Sequence, residues 1–253
     1  MCELPVSYAV QTEKTSPLFA RAFALGCRGH ATASGDLHPG PVALFGSPAR
    51  WAMLQQAIAE GRTWYYGDHG IFRRFRYYRI TKNAYQHDGR GMCSPDRFRD
   101  LHVDLTPAWN TGGGAIVVCP NSSVYMNYFG IDAKLWVLGV VQRLGEMSDR
   151  PIVVRWKTNV QHRPLYVDLH SAWMVVVFSS ASAIEALAAG VPVCTLAPWA
   201  STARMGIQDL ADVERPIYPD LSERDQFLFN LAHQQWTLPE IESGTAWRAL
   251  ERP

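Results

Sequence analysis

From Ala115 onward the chain alternates two kinds of apolar pattern. Short runs with little polar interruption, AIVVC (115–119), PIVVRW (151–156), AWMVVVF (172–178) and VPVCTL (191–196), are separated by stretches whose apolar residues recur at helical spacing, LWVLGVVQRLGEM (135–147) and SAIEALAAG (182–190). Strands that are apolar on both faces and alternate with helices are what a parallel sheet covered on both sides requires. This half therefore reads as α/β and Rossmann-like.

The first half carries one similar unit, VALFG (42–46), a helix around ARWAMLQQAIAEG (49–61) and the strand TWYYGD (63–68), and is otherwise irregular. The run Thr111-Gly112-Gly113-Gly114 follows a turn-like TPAWN and marks either a hinge between two halves or a short linker. The expected division is an α/β domain over 1–112 and a Rossmann-like domain over 113–253. Helical segments near ERDQFLFNLAHQQW and PEIESGTAWRALER close the chain. The predicted fold class is α/β, two Rossmann-like halves, the N-terminal one reduced, with a closing C-terminal helix.

Composition narrows the partners. With 253 residues, 47% of them hydrophobic, the chain can bury a full core without staples. Lys and Arg number 24 against 23 Asp and Glu, so no global field draws nucleic acid or an anionic membrane. The charge is unevenly placed, however. Between Gly61 and Arg99 nine cations, Arg73, Arg74, Arg76 and Arg79 among them, face three aspartates and are interleaved with Trp64, Tyr65, Tyr66, Phe72, Phe75, Tyr77, Tyr78 and Tyr85. This mixture reads either as a nucleic-acid surface or as core aromatics with arginines paired elsewhere. Five widely spaced cysteines without any CxxC argue against a disulfide framework and a zinc cluster, and the N-terminus lacks a signal-peptide pattern. The expected compartment is the cytoplasm.

The stretch FSSASAIEALAAGVPVCTLAP (178–198) reads as strand, turn, helix, turn, strand. Ser180 or Ser182 can cap the helix, whose N-terminus can receive a phosphate, and strand carboxyl ends are where ligands gather in open α/β sheets. Glu185, in apolar Ala and Leu surroundings, reads either as a buried acid gripping a ribose diol or as a solvent-facing glutamate. Arg155 and Lys157 alternate on one strand and share a face, as a phosphate clamp or as an edge-strand surface pair. Arg204, in STARMG, closes over the same phosphates or lies on the surface. YYGDHG ends a predicted strand with Asp68 and His69 adjacent, candidates for a base that deprotonates an acceptor hydroxyl, Asp68 first; each is otherwise a turn residue, as is the pair His87-Asp88. No Asp-x-Asp pair or close His spacing points to a metal, which suits a metal-independent mechanism.

The segment VVVFSSASAIEALAAGVPV resembles the nucleotide-binding unit of GT-B glycosyltransferases, in particular the capsule-polysaccharide (Kdo-transferase-like) group, and PIVVRWKT resembles that group's "strand, Arg, x, Lys" element. About 85 residues, 115 to 200, carry the resemblance, which implies a GT-B-like arrangement of the two halves with 1–112 as the acceptor-side domain. It implies that Ser179, Ser180 and the amide of Ala181 face a donor diphosphate, Glu185 the sugar or ribose, and Arg155 with Lys157 the donor's negative charge. YYRITKNAYQHDG and TLPEIESGTAWR are similar to proteins of tailed-phage genomes, which would place the chain in a host cytoplasm. The implied function is transfer of a sugar from a nucleotide sugar, UDP the expected carrier, without a cofactor, to an acceptor such as a hydroxymethylated base in phage DNA or a saccharide. A nucleotide-sugar epimerase or hydrolase, or a non-catalytic nucleotide- or partner-binding protein, are the alternatives.

Overall fold

The computed structural model describes residues 5–8, 15–33, 42–45, 52–156 and 164–251. Their contacts group into two units, Met1–Tyr85 with Leu231–Pro253, and Gln86–Asn230.

The first unit opens with β1 (Pro5–Tyr8), α1 (Thr15–Gly26) and β2 (His30–Ala33), β1 pairing parallel to β2 from Pro5↔His30 to Tyr8↔Ala33. A second crossover, β3 (Val42–Phe45), α2 (Ala52–Ala59) and β4 (Trp64–His69), adds β3 beside β1 and β4 beside β3, again parallel. β5 (Tyr78–Lys82) then returns antiparallel to β4. The first of these crossovers was not anticipated, since PVSY and HATA mix polar residues and a proline into runs too short to show a period.

The second unit is built from the runs that are apolar throughout. It begins with α3 (Asp96–Asp100) and β6 (Ala115–Cys119), continues through α4 (Ser123–Tyr128), α5 (Ala133–Met147), β7 (Ile152–Val154), α6 (Leu165–Leu169), β8 (Ala172–Val177), α7 (Ser182–Ala188) and β9 (Val193–Thr195), and ends in α8 (Leu221–Ala232). The four strands are all parallel in the order β7-β6-β8-β9. Asp132 starts α5 by accepting from the amides of Lys134 and Leu135, and the helix buries Ala133, Val137, Val140 and Leu144, one stripe at 3.6-residue spacing. Val140 and Leu144 of that stripe pack with Ile116, Val118, Met174, Val176 and Cys194 of the sheet. Each such side chain, fully withdrawn from water, contributes about 1.5–3 kcal/mol.

After α8 the chain returns to the first unit. β10 (Gln235–Trp236) pairs antiparallel with β5, completing a six-stranded sheet in the order β10-β5-β4-β3-β1-β2. α9 (Leu238–Glu242) opens on a capping box between Thr237 and Glu240, and α10 (Thr245–Leu250) follows. Trp236, Ile241 and Ala246 enter one core with Phe19, Phe23, Phe45, Tyr65 and Ile80. A Cβ on Gly26 would stand 2.1 Å from the Ile241 carbonyl oxygen, so glycine is what lets α1 and α9 approach. The short N-terminal half is thus completed by the chain's own tail, and the closing helices belong to it.

The grouping differs from the division expected at residue 112. Residues 86–112 lie with the second unit and 231–253 with the first. The glycine run is inside the second unit: the Gly114 amide donates to the Ser171 carbonyl at 2.9 Å, and a Cβ on Gly113 would meet the Ala172 carbonyl oxygen at 1.9 Å. Gly113 serves a close backbone approach, and the hinge reading is set aside. Among the described residues no helix is long and apolar enough to cross a membrane.

Candidate functional site

Because β6, β8 and β9 are parallel, their carboxyl ends open on one edge, where Pro120-Asn121, Phe178-Ser179-Ser180 and Leu196-Ala197 follow the strands. The Ser179 turn is held from both sides. Its amide donates to Asn121 Oδ1 at 3.0 Å and its carbonyl accepts from Gln86 Nε2 at 2.8 Å, while Gln86 Oε1 accepts from the Ser201 amide and hydroxyl at 3.0 and 3.1 Å. Gln86 is buried, so these bonds are made away from water, where an unmet amide would be costly. Ser179 itself is 3% exposed, with its hydroxyl 3.5 Å from the Tyr125 hydroxyl. It builds the turn; Ser180, half-buried, presents its hydroxyl 3.2 Å from that of Ser182.

The helix tip differs from its expected form. Ala181 is the N-cap and is exposed. The Ser182 amide is taken by Ser180 Oγ at 3.3 Å, and the amides of Ala183, Ile184 and Glu185 by the carbonyls of Ser180 and Ala181 at 2.9–3.2 Å. The tip therefore offers hydroxyls more than open amides. Glu185 is exposed, not buried: α7 buries Ala183, Ile184, Ala186, Leu187 and Ala188, leaving Ser182, Glu185 and Ala189 on the outward stripe. The second of its two sequence readings, an acid facing solvent, is the one observed.

Behind that stripe lies a charged cluster. β7 is one of the sheet's two edge strands and ends at Val154; Arg155, whose amide still reaches the Val118 carbonyl at 2.8 Å, turns its guanidinium to the carboxylate of Asp168 on α6. Both side chains are largely withdrawn from solvent, at 14% and 11% exposure. The cation is therefore compensated by the protein. Burial pushes the neighbouring Cys119 thiol up to about 12, despite a hydrogen bond to Ser182 and the Arg155 charge, so it stays protonated and unreactive at neutral pH. Lys157 lies outside the described residues. Arg204, in a 3₁₀ turn (Ser201–Met205), pairs with Glu223 of α8 at 3.2 Å, close to the Gly89 carbonyl.

Asp68 and His69 end β4 in the first unit. Burial works against the Asp68 carboxylate, but Arg79 at 2.8 Å and the His69 amide at 2.7 Å outweigh it and hold its pKa below the usual range. A carboxylate so stabilised accepts a proton poorly. The His69 ring sits among aromatic neighbours, 4.8 Å from Phe75 and 5.2 Å from Phe45 between centroids. Arg79 is thus committed to Asp68, whereas Arg73, Arg74 and Arg76 are exposed on the β4–β5 connection. His87 is pushed down by burial, against the pull of Asp88, and its Nδ1 accepts from the Gly89 amide at 2.9 Å, which suits a neutral turn residue.

No family model matches the chain, and no curated protein matches it. Solved structures do match, among them the KpsC beta Kdo 2,7 transferase of Thermosulfurimonas dismutans, at TM-score 0.57 and 14% identity over 98% of this chain and 100% of that one, and the KpsC beta Kdo 2,4 transferase of the same organism, at 0.57 and 14% over 94% and 93%. The chain shares a fold with these transferases. The likeness agrees with the α/β, GT-B-like architecture expected from the sequence.

Several site residues had no sequence signal. Gln86, Asn121 and Asp168 each act through a partner distant in sequence or reached only by a turn. The outward position of Glu185 had one, the spacing of Ser182, Glu185 and Ala189 against five apolar positions. Among the described residues, no group of three or more His, Cys, Asp or Glu could hold a metal ion.

Proposed function

We propose that the chain is a glycosyltransferase that takes a sugar from a nucleotide sugar, UDP-linked in the first instance, at the carboxyl edge of the second unit's sheet. The observation that carries this reading is the likeness in fold, over nearly the full length of both chains, to two sugar transferases. Fold alone does not fix chemistry, so the residues of the edge must supply it. The Ser180 and Ser182 hydroxyls and the Ala181 amide bind the donor diphosphate, and Glu185, on the open stripe of α7, accepts hydrogen bonds from sugar or ribose hydroxyls. Arg155, Lys157 and Arg204 supply positive potential, the first and last while neutralised in part by Asp168 and Glu223. As the leaving diphosphate gains charge, such donors stabilise it without a metal. For the acceptor hydroxyl, His69 is the better base, because the Asp68 carboxylate is committed to Arg79.

An anionic acceptor, with DNA as the specific case, is supported by Arg73, Arg74, Phe75 and Arg76, all exposed, with Phe75 71% accessible and at φ 72°. A bulky residue at positive φ is strained, and a ring this exposed, touching only the edge of its neighbours, buries little that offsets it. Incubating the protein with radiolabelled nucleotide sugars and either hydroxymethylated DNA or saccharides tests both levels. Transfer to one acceptor is expected. Donor turnover without any acceptor would favour an epimerase or hydrolase, and no turnover at all would contradict an enzyme.

A further inference from the structure

Three aromatic rings stand at the same carboxyl edge, on three different connections. Phe178 directly precedes the Ser179-Ser180 turn, Phe129 follows α4, and Trp199 follows β9. Phe129 and Trp199 lie 5.0 Å apart between centroids at 27°, and Phe178 is 5.9 Å from the first and 6.0 Å from the second. All three are half-buried, so each keeps part of its surface open. We infer that this triangle is a stacking shelf for the nucleobase of a nucleoside diphosphate whose phosphates lie at Ser180; the inference rests on the donor site proposed above.

Two features favour a base over a sugar. Phe129 and Trp199 are already near-parallel, and a third flat ring extends an offset stack in the geometry such rings prefer. A sugar in the same place would need partners for several hydroxyls, and the three side chains offer a single polar atom, the Trp199 indole N–H. Position agrees as well. Phe178 is two residues before Ser180, so a base on the shelf leaves its phosphates within reach of the Ser180 and Ser182 hydroxyls, 3.2 Å apart. Stacking is tolerant of base identity, and the shelf by itself does not choose between uracil and the others.

Calorimetric titration of the full chain with UDP, CDP, ADP, GDP, glucose 1-phosphate and inorganic pyrophosphate tests the shelf. Wild-type protein is expected to bind at least one nucleoside diphosphate. Phe129→Leu and Trp199→Leu, each first shown to melt cooperatively, are expected to weaken that binding on the order of tenfold and to leave pyrophosphate as in wild type. Trp199→Phe, which keeps a ring, should retain most of the affinity. Nucleotide affinity unchanged in both leucine variants would overturn the shelf and leave the donor site standing. Equal loss of pyrophosphate and nucleotide would assign the rings to packing, and loss of glucose 1-phosphate alone would assign them to the sugar. If wild type binds none of the nucleotides, the shelf and the donor site fall together.

Discussion

The second unit takes its four parallel strands from one contiguous stretch, residues 115–195, whereas the first takes five strands from residues 5–82 and its sixth from Gln235–Trp236. The first sheet is also mixed, with antiparallel pairing at β5 and β10. A contiguous sheet can bury its strands from local crossovers alone, while the first needs the chain to travel through the whole second unit before its edge is complete. Fold information in the two units is therefore stored at different sequence distances.

The largest expected effect tests that dependence. Trp236, 3% exposed on the returning strand, should cost about 3–5 kcal/mol when changed to alanine, read by guanidinium unfolding. A loss under about 1 kcal/mol would mean that the first sheet stands without its tail. In the second unit the comparable weak point is electrostatic. Asp168→Ala leaves Arg155 enclosed without its counter-charge and should cost about 3 kcal/mol, whereas the double change Arg155→Met/Asp168→Leu should restore most of it. A milder change at the same position sharpens the site: if Arg155 serves the donor, Asp168→Asn, which removes the negative charge facing it, tightens nucleotide binding while it destabilises the fold.

The difference between the units also governs how far each was legible. AIVVC, AWMVVVF and VPVCTL are legible as strands, to within one or two residues at most ends, because continuous apolar runs bounded by glycine, proline or serine have few other uses. PIVVRW suggests a longer strand than the one formed, since an edge strand half open to solvent can end at Val154 and send Arg155 to α6. QQW continues a helical pattern in the sequence, because a two-residue strand carries no period of its own and exists only through β5. The position of the Ser-Ser turn was legible at the site, and the division of labour within it was not: Ser179 is locked by Asn121 and Gln86, which lie 58 and 93 residues away.

Smaller effects separate the two ends of β4 and its following loop. Asp68 has a lowered folded pKa, so its ion pair stabilises above the unfolded carboxylate value and is lost as pH falls through the lower folded value. Asp68→Asn should remove about 1.5 kcal/mol at neutral pH and flatten the acid limb of a stability-against-pH curve; an unchanged limb would place the acid sensitivity elsewhere. Phe75→Gly should change stability by less than about 1 kcal/mol, because relief of the positive φ opposes loss of the Arg74 and His69 ring contacts. A drop of several kcal/mol would make Phe75 a folding residue and withdraw it from acceptor binding.

Hydrogen exchange on the full chain, with and without a saturating nucleotide sugar, addresses the donor site directly. The account requires slowed exchange in residues 178–185 and 196–202 of the second unit. Binding with protection confined to other segments, or no protection under any nucleotide sugar tried, would contradict it.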